Sequence, residues 1–345
     1  MTLRKTSINV KLLLGLIISV CFMFLALKNI KFTEISNALR EANYWFLIPA
    51  IAVLLLSHWL RAIRWRYFML PLAKVRPALL FSATMIGYMG NVILPAHLGE
   101  FFRAYVVSKK QKILMSSTFA TIVLERIIDL WSMLLIMAIT FIIYPFPDWV
   151  TKSGYITFVF AVGLVIVLIL MKKKLALTLR IIRFCLKPLP ESIVQKVQNL
   201  ITSFLNGLVP LKHWIHYAIV TFYSAIIWAC YAGVFYLVFH AFGFVSTYQL
   251  TWITSLVLLV VTTISIIVPS APGYIGTYHW LCQLSLGFFG VPKATALTYA
   301  FLVHGVFFLP VLFIGLVYLW VEGLTIASLY DRANLTPAAD AVSDT

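Results

Sequence analysis

Long apolar runs separated by short basic segments dominate this chain. Runs near residues 11–27, 44–60, 113–144, 154–171, 214–243 and 294–321 are each about long enough to cross a bilayer as a helix. Two further apolar regions, 77–112 and 249–290, are broken by Pro and Gly at VILPAHLGE (92–100) and VPSAPGYIG (268–276). The pattern predicts an all-α polytopic membrane protein with about six full spans and two broken or re-entrant helical hairpins. Residues 172–213 mix charges with Leu, Ile and Phe and are split by Pro188 and Pro190. They predict amphipathic helices on the cytoplasmic surface, and 28–43 predicts a similar element outside.

Basic residues set the orientation. Arg61, Arg64, Arg66, Lys74 and Arg76 precede the first broken region, and Arg103, Lys109, Lys110 and Lys112 close it. A third group, from Lys172 to Lys212, marks the long central loop. If 77–112 crossed once, the second and third groups would lie outside, against the positive-inside rule. If it enters and returns, all three share the cytoplasm with the N-terminus. Parity then makes the second broken region enter from the opposite face and leaves the C-terminus cytoplasmic. Two hairpins of opposite orientation are the pattern of an inverted-repeat transporter.

Composition agrees with a bilayer setting, because 62% of residues are hydrophobic and only 11% are charged. A soluble domain of this size has too little interior for so much apolar surface. The net charge of +16 does not imply nucleic acid, since the basic residues flank apolar runs instead of forming a recognition helix. Cys21, Cys185, Cys230 and Cys282 are far apart, with no metal-ligand spacing. The basic N-terminus before Leu12–Leu27 resembles a signal peptide, but it lacks a small-x-small cleavage pattern and predicts an uncleaved first span. One transmembrane domain is expected over 1–325, followed by a polar, disordered tail over 326–345.

The chemistry-bearing residues gather at the breaks. A broken helix inside a bilayer survives only within protein or beside a wet cavity, and its free N–H groups favour an anion. Asn91, Pro95, His97, Gly99, Glu100 and Arg103 surround the first break, and Pro269, Pro272, Gly273, Gly276 and His279 surround the second. Within TIVLERIIDLW, Glu125 and Asp129 are four apart and share a helix face with Arg126 nearby. Ionisable groups at membrane depth either face a polar cavity or pair with one another. Arg103 or Arg126 bridging Glu100, Glu125 and Asp129 would be a purely structural lock, and a lock and a binding role stand equally here. His58, His97, His240, His279 and His304 recur in apolar surroundings. An isolated membrane histidine is more often a helix contact, but His97 and His279 adjoin breaks and are candidates for proton coupling. Phosphate loops, HExxH and GxSxG are absent.

NVILPAHLGEFFRAYVV, ATIVLERIIDL, PSAPGYIGTYHW and FLVHGVFFLPVLFIG, in that order, resemble the motifs of the lysylphosphatidylglycerol synthase transmembrane, or flippase-like, family. The resemblance covers about residues 10–325 and implies a lipid-translocating bundle. By position, the family's patterns fall on Asn91, Leu94, Pro95, Gly99, Glu100 and Arg103, on Glu125, Arg126 and Asp129, and on Pro272, Gly273 and Gly276. Relatives often carry Arg at His97 and an acidic residue at His279, so substrate charge is left open. The family's aminoacyl transfer resides in a separate soluble domain and is not inherited.

These readings predict a flippase for a phospholipid or polyprenyl-linked lipid with an anionic or zwitterionic headgroup, in the plasma (inner) membrane. Its pathway would contain the residues above and His304, with Arg103 and Arg126 on a phosphate. The alternatives are an intramembrane transferase acting on a lipid headgroup and a non-transporting partner of a cell-envelope synthase. No cofactor, metal or nucleic acid is expected. Membrane lipids are the expected partners, with a glycosyltransferase or lipid synthase alongside and an oligomer left open.

Overall fold

The computed structural model describes residues 2–94, 98–144, 148–188, 190–209, 211, 213–267 and 271–325. Pro95, His97 and Pro269, with the tail from residue 326, lie outside the described residues. The described chain is helical throughout: α1 (Thr2–Leu27), α2 (Phe32–Glu41), α3 (Leu47–Met69), α4 (Pro77–Ile93), α5 (Gly99–Gln111), α6 (Met115–Ile143) and α7 (Asp148–Lys173) come first. Then follow α8 (Leu175–Cys185), α9 (Glu191–Gly207), α10 (Trp214–Ala241), α11 (Phe244–Thr247), α12 (Trp252–Ile267), α13 (Thr277–Gly287) and α14 (Lys293–Val321). Proline marks several starts: Pro77 opens α4, while Pro190 and Pro292 precede α9 and α14. Its fixed φ suits a first turn, and its missing N–H is one that no helical carbonyl needs there.

Among the described residues, five helices, including α6, α7, α10 and α14, are long and apolar enough to cross a membrane. The fifth joins the Tyr44–Phe46 turn to α3, and α1 with α2, bent by 80°, makes a sixth candidate. On α7, Tyr155, Ile156, Val159 and Phe160 are exposed, as a lipid-facing wall requires. On α8, Leu177, Ile181 and Phe184 stand exposed on the same helix as Arg180 and Arg183, the composition of a helix lying in the membrane interface.

The two broken regions are hairpins. In the first, α4 and α5 pack back to back so tightly that a Cβ on Gly99 would sit 1.8 Å from the Gly87 carbonyl oxygen. Both arms therefore end on one face, where Lys110 of α5 meets Glu322 beyond α14 at 2.5 Å. Exposed Arg66, Lys74, Arg76, Lys109 and Lys172 lie at helix ends on this basic face. In the second, Val257 and Val261 of α12 pack with Leu281 of α13, so this hairpin opens toward the other face. There the Gln283 amide donates to the carbonyls of Ala26 and Lys293, at the end of α1 and the start of α14. The tips meet inside the bundle, with the Val92 carbonyl oxygen 3.7 Å from the Cβ position of Gly273. The predicted pair of oppositely oriented broken hairpins is the architecture of the chain.

One boundary differs from expectation. The span expected over 44–60 continues as α3 to Met69, because Trp65, Phe68 and Met69 carry the apolar face past the arginines. Arg61 and Arg64 are therefore buried in the bundle, and so is Arg103. These three contribute to an interior cluster, and the orientation rests on the exposed basic residues alone.

Candidate functional site

A carboxylate pair on α6 organises the interior. Glu125 and Asp129 are one helical turn apart and face α3, as their spacing predicts. Arg61 donates from one nitrogen to Glu125 Oε1 at 2.7 Å and to Asp129 Oδ2 at 2.6 Å. Arg64 donates to Asp129 Oδ1 at 2.7 Å and to the Ser224 hydroxyl of α10 at 2.8 Å. Arg103, from the first hairpin, donates to Glu125 Oε2 at 2.6 Å, and its guanidinium carbon lies 3.7 Å from the centre of the Trp65 ring. That ring's N–H is held by the Thr121 hydroxyl at 2.9 Å. Glu125 is fully buried and serves three guanidinium groups at once. Charges this deep persist only when paired, and each guanidinium here has a carboxylate partner, although Nε of Arg61, Arg64 and Arg103 and Nη1 of Arg103 make no hydrogen bond.

Arg126 faces another way. Its partners are Glu100 of α5 and, at 3.6 Å, Asp129, and 39% of its side chain is accessible. The short polar sequence at the first break explains how Glu100 is placed. The Gly99 N–H donates to Asn91 Oδ1 at 2.9 Å, which fastens the start of α5 to the end of α4. Asn91 Nδ2 then donates to Glu100 Oε1 at 3.4 Å.

Arg126, Arg61, Asp129, Glu100 and Asn91 line one end of a cavity of about 420 Å³ where the hairpin tips meet. Tyr88 and His58 complete this polar end. Tyr88 lies beneath both cavity arginines, 5.9 Å from Arg61 and 5.7 Å from Arg126. The other end is aromatic: Trp228, Tyr231 and Phe235 from α10, Tyr278 from the second hairpin, and Phe307 and Phe308 from α14, with Tyr274 between Phe308 and the Arg126–Glu100 pair. Tyr231 joins the ends, because its hydroxyl accepts from Arg61 at 3.2 Å while its ring meets Trp228 edge-on at 6.0 Å.

The predicted residues thus divide into groups. Asn91, Glu100, Arg126 and Asp129 line the cavity, whereas Gly99, Arg103 and Glu125 stand behind its wall. Arg103, expected on a phosphate beside Arg126, is instead a tie between the first hairpin and α6. Pro272 and Gly273 form the turn at the second tip. Gly276 follows with φ of 92°, and a Cβ there would lie 2.2 Å from the Ser19 carbonyl oxygen. His279 and His304 lie behind that tip with tilted rings 4.7 Å apart, and His304 Nε2 bonds the Gly273 carbonyl at 2.8 Å.

Arg61, Arg64, Tyr88, Ser224 and Tyr231 are the members sequence reasoning missed. A signal for the first two was present: they lie three apart, within an apolar segment that continues through WRYFML. Groups of three or more potential metal-ligating side chains do not occur among the described residues.

Two opposed hairpins whose tips enclose a cavity, polar at one end and aromatic at the other, define a multi-pass membrane protein. The model of the lysylphosphatidylglycerol synthase TM region matches residues 12–315, and the chain belongs to that family. A curated relative, the glycosyltransferase AglD of Haloferax volcanii, is 33% identical over 124 residues. The match takes in 35% of this chain and 20% of that protein, so the chain spans about a fifth of the relative's length.

Proposed function

We propose that the protein translocates a phospholipid or polyprenyl-linked lipid with an anionic or zwitterionic headgroup between leaflets. One observation carries this reading: Arg126 and Arg61 face a cavity at the meeting point of two hairpins that enter from opposite faces. A phosphate in hydrocarbon is prohibitively costly, and a guanidinium pair in a walled cavity offsets that cost midway across. The acyl or prenyl chains stay in lipid. Membership of a lipid-related family supports the assignment. By the positive-inside rule, the basic face supports a plasma-membrane protein with both termini in the cytoplasm. Likeness to a stretch of a protein named a glycosyltransferase supports a glycosyltransferase or lipid synthase as partner.

The test is leaflet exposure of labelled candidate lipids in proteoliposomes. Arg126→Ala should slow translocation by roughly tenfold or more, the worth of a charge-assisted hydrogen bond. Equal rates for wild type and variant would defeat the assignment. The same relative favours a second reading, transfer of a group onto a lipid headgroup. Glu100 Oε2, buried without a hydrogen-bond partner, is the oxygen free to act as its base. A product of new mass from purified protein and an activated sugar donor would establish that reading instead.

A further inference from the structure

The cavity contains polar atoms that its own walls leave unsatisfied. Trp228 Nε1, the Tyr278 hydroxyl, His58 Nδ1, Arg61 Nε and Glu100 Oε2 are buried without a hydrogen-bond partner, and all five residues line the cavity. Trp228, Tyr278 and His58 are more than nine-tenths buried. A buried polar group without a partner is expensive, so five in one cavity describe the complement of a ligand. Their chemistry is specific. An indole N–H is only a donor, so Trp228 requires an acceptor oxygen on the ligand. A carboxylate oxygen is only an acceptor, so Glu100 requires a donor. A phenol does both. The ligand must therefore present donors and acceptors along its length, as hydroxyl groups do.

Charge narrows the class further. Arg61, Arg64, Arg103 and Arg126 face Glu100, Glu125 and Asp129, so the ionised cluster keeps one positive charge among these residues. That excess suits one phosphate and opposes an ammonium. The tyrosine faces nearest the charges are already beneath guanidinium groups: Tyr88 serves Arg61 and Arg126, and Tyr231 lies 6.0 Å from Arg61. They are not an empty cage for a second cation. Beyond them, Trp228, Tyr278, Phe307 and Phe308 offer flat apolar surfaces edged by an N–H and an O–H. Such surfaces stack on the C–H face of a sugar ring while the edges bond its hydroxyls.

Resting on the translocation reading, we infer that the cargo headgroup is a phosphate carrying a neutral polyhydroxylated group, a glycosyl phosphate lipid, and not an aminoacylated one. The phosphate sits at Arg126 and Arg61. The sugar extends past Tyr231 toward Trp228 and Tyr278, within hydrogen-bond reach of Glu100 and His58.

The experiment measures equilibrium binding to full-length purified protein in detergent, independent of transport. The probes are farnesyl phosphate, farnesyl phosphoryl glucose and a short-chain lysylphosphatidylglycerol. Wild type should bind the glucosyl compound about fivefold to tenfold tighter than the bare phosphate, the worth of one or two hydrogen bonds. In Trp228→Phe and Tyr278→Phe that ratio should fall toward one. A wild-type ratio of one would overturn the inference and leave the translocation reading intact. Tighter binding of the lysyl compound would also overturn it, in favour of a cationic headgroup. If none of the three bound, the translocation reading would fall, and the inference with it. Thermal melting of both variants guards against misfolding. Should they be unfolded, the wild-type ratio alone decides.

Discussion

The two hairpins share a shape and differ in what holds them. The first is fastened by charge: Arg103 to Glu125 and Glu100 to Arg126 join α5 to α6. The second is fastened by backbone and packing. The Ala271 N–H donates to the Ser19 hydroxyl at 2.7 Å, Gly276 lies against the α1 backbone, and His304 holds the Gly273 carbonyl. The difference teaches where specificity and motion can reside. A buried ion network is rigid while complete, yet an incoming anion competes for its arginines directly. Packing and single hydrogen bonds respond only to displacement. On the proposed translocation reading, the first hairpin would sense the headgroup and the second would form the wall against which it is held.

Removing the central carboxylate should produce the largest effect. Glu125→Gln leaves Arg61 and Arg64 with Asp129 and takes from Arg103 its carboxylate partner. Breaking a buried pair from one side costs about 3–5 kcal/mol, because the other charge stays desolvated. Thermal or denaturant unfolding in detergent should show that loss. A change below about 1 kcal/mol would mean the first hairpin does not depend on its charges.

Glycine substitutions should separate the hairpins at intermediate cost. A Cβ at Gly99 meets the Gly87 carbonyl and, at 2.6 Å, Asn91 Oδ1, so Gly99→Ala must spread the first hairpin and release Asn91. At Gly276 the obstacle is the Ser19 backbone, and the positive φ adds strain for any L side chain. Each substitution should destabilise by about 1–3 kcal/mol from overpacking, with Gly276→Ala the worse of the two. Hydrogen exchange locates the damage. Gly99→Ala should accelerate exchange in α5, and Gly276→Ala in α1 and at Ala271. The same exchange pattern from both would show that the hairpins are one cooperative unit.

Much of this architecture is legible in the sequence. Pro and Gly in VILPAHLGE and VPSAPGYIG mark the breaks, and the exposed lysines and arginines give the opposed entries by parity. The cavity was only half visible. Asn91, Glu100, Arg126 and Asp129 carry charge or amide groups where hydrocarbon would exclude them, which makes them conspicuous. Arg61 and Arg64 are equally charged but stand near a helix end, where a positive flank is the ordinary expectation. Only the partner helix reveals that Glu125 and Asp129 draw them inward. Tyr88, Trp228, Tyr231 and Tyr278 leave no sequence signal, because aromatic residues are common in membrane helices and their function depends on which neighbour leaves an O–H or N–H unpaired.

The smallest expected effect tests the other side of the comparison. Ser19→Ala deletes the hydroxyl that receives the Ala271 N–H, at the point where the second tip meets α1. Ser19 is 5% exposed, so water does not freely replace the lost acceptor. An orphaned buried amide costs about 1–3 kcal/mol, and a small local shift recovers part of it, so the net loss should be near 1 kcal/mol. Translocation should slow less than in Arg126→Ala, since no charge or cavity residue is touched. If Ser19→Ala instead matched Glu125→Gln in unfolding, the second hairpin would hang on that single bond. The first hairpin's reliance on charge would then no longer set the two apart.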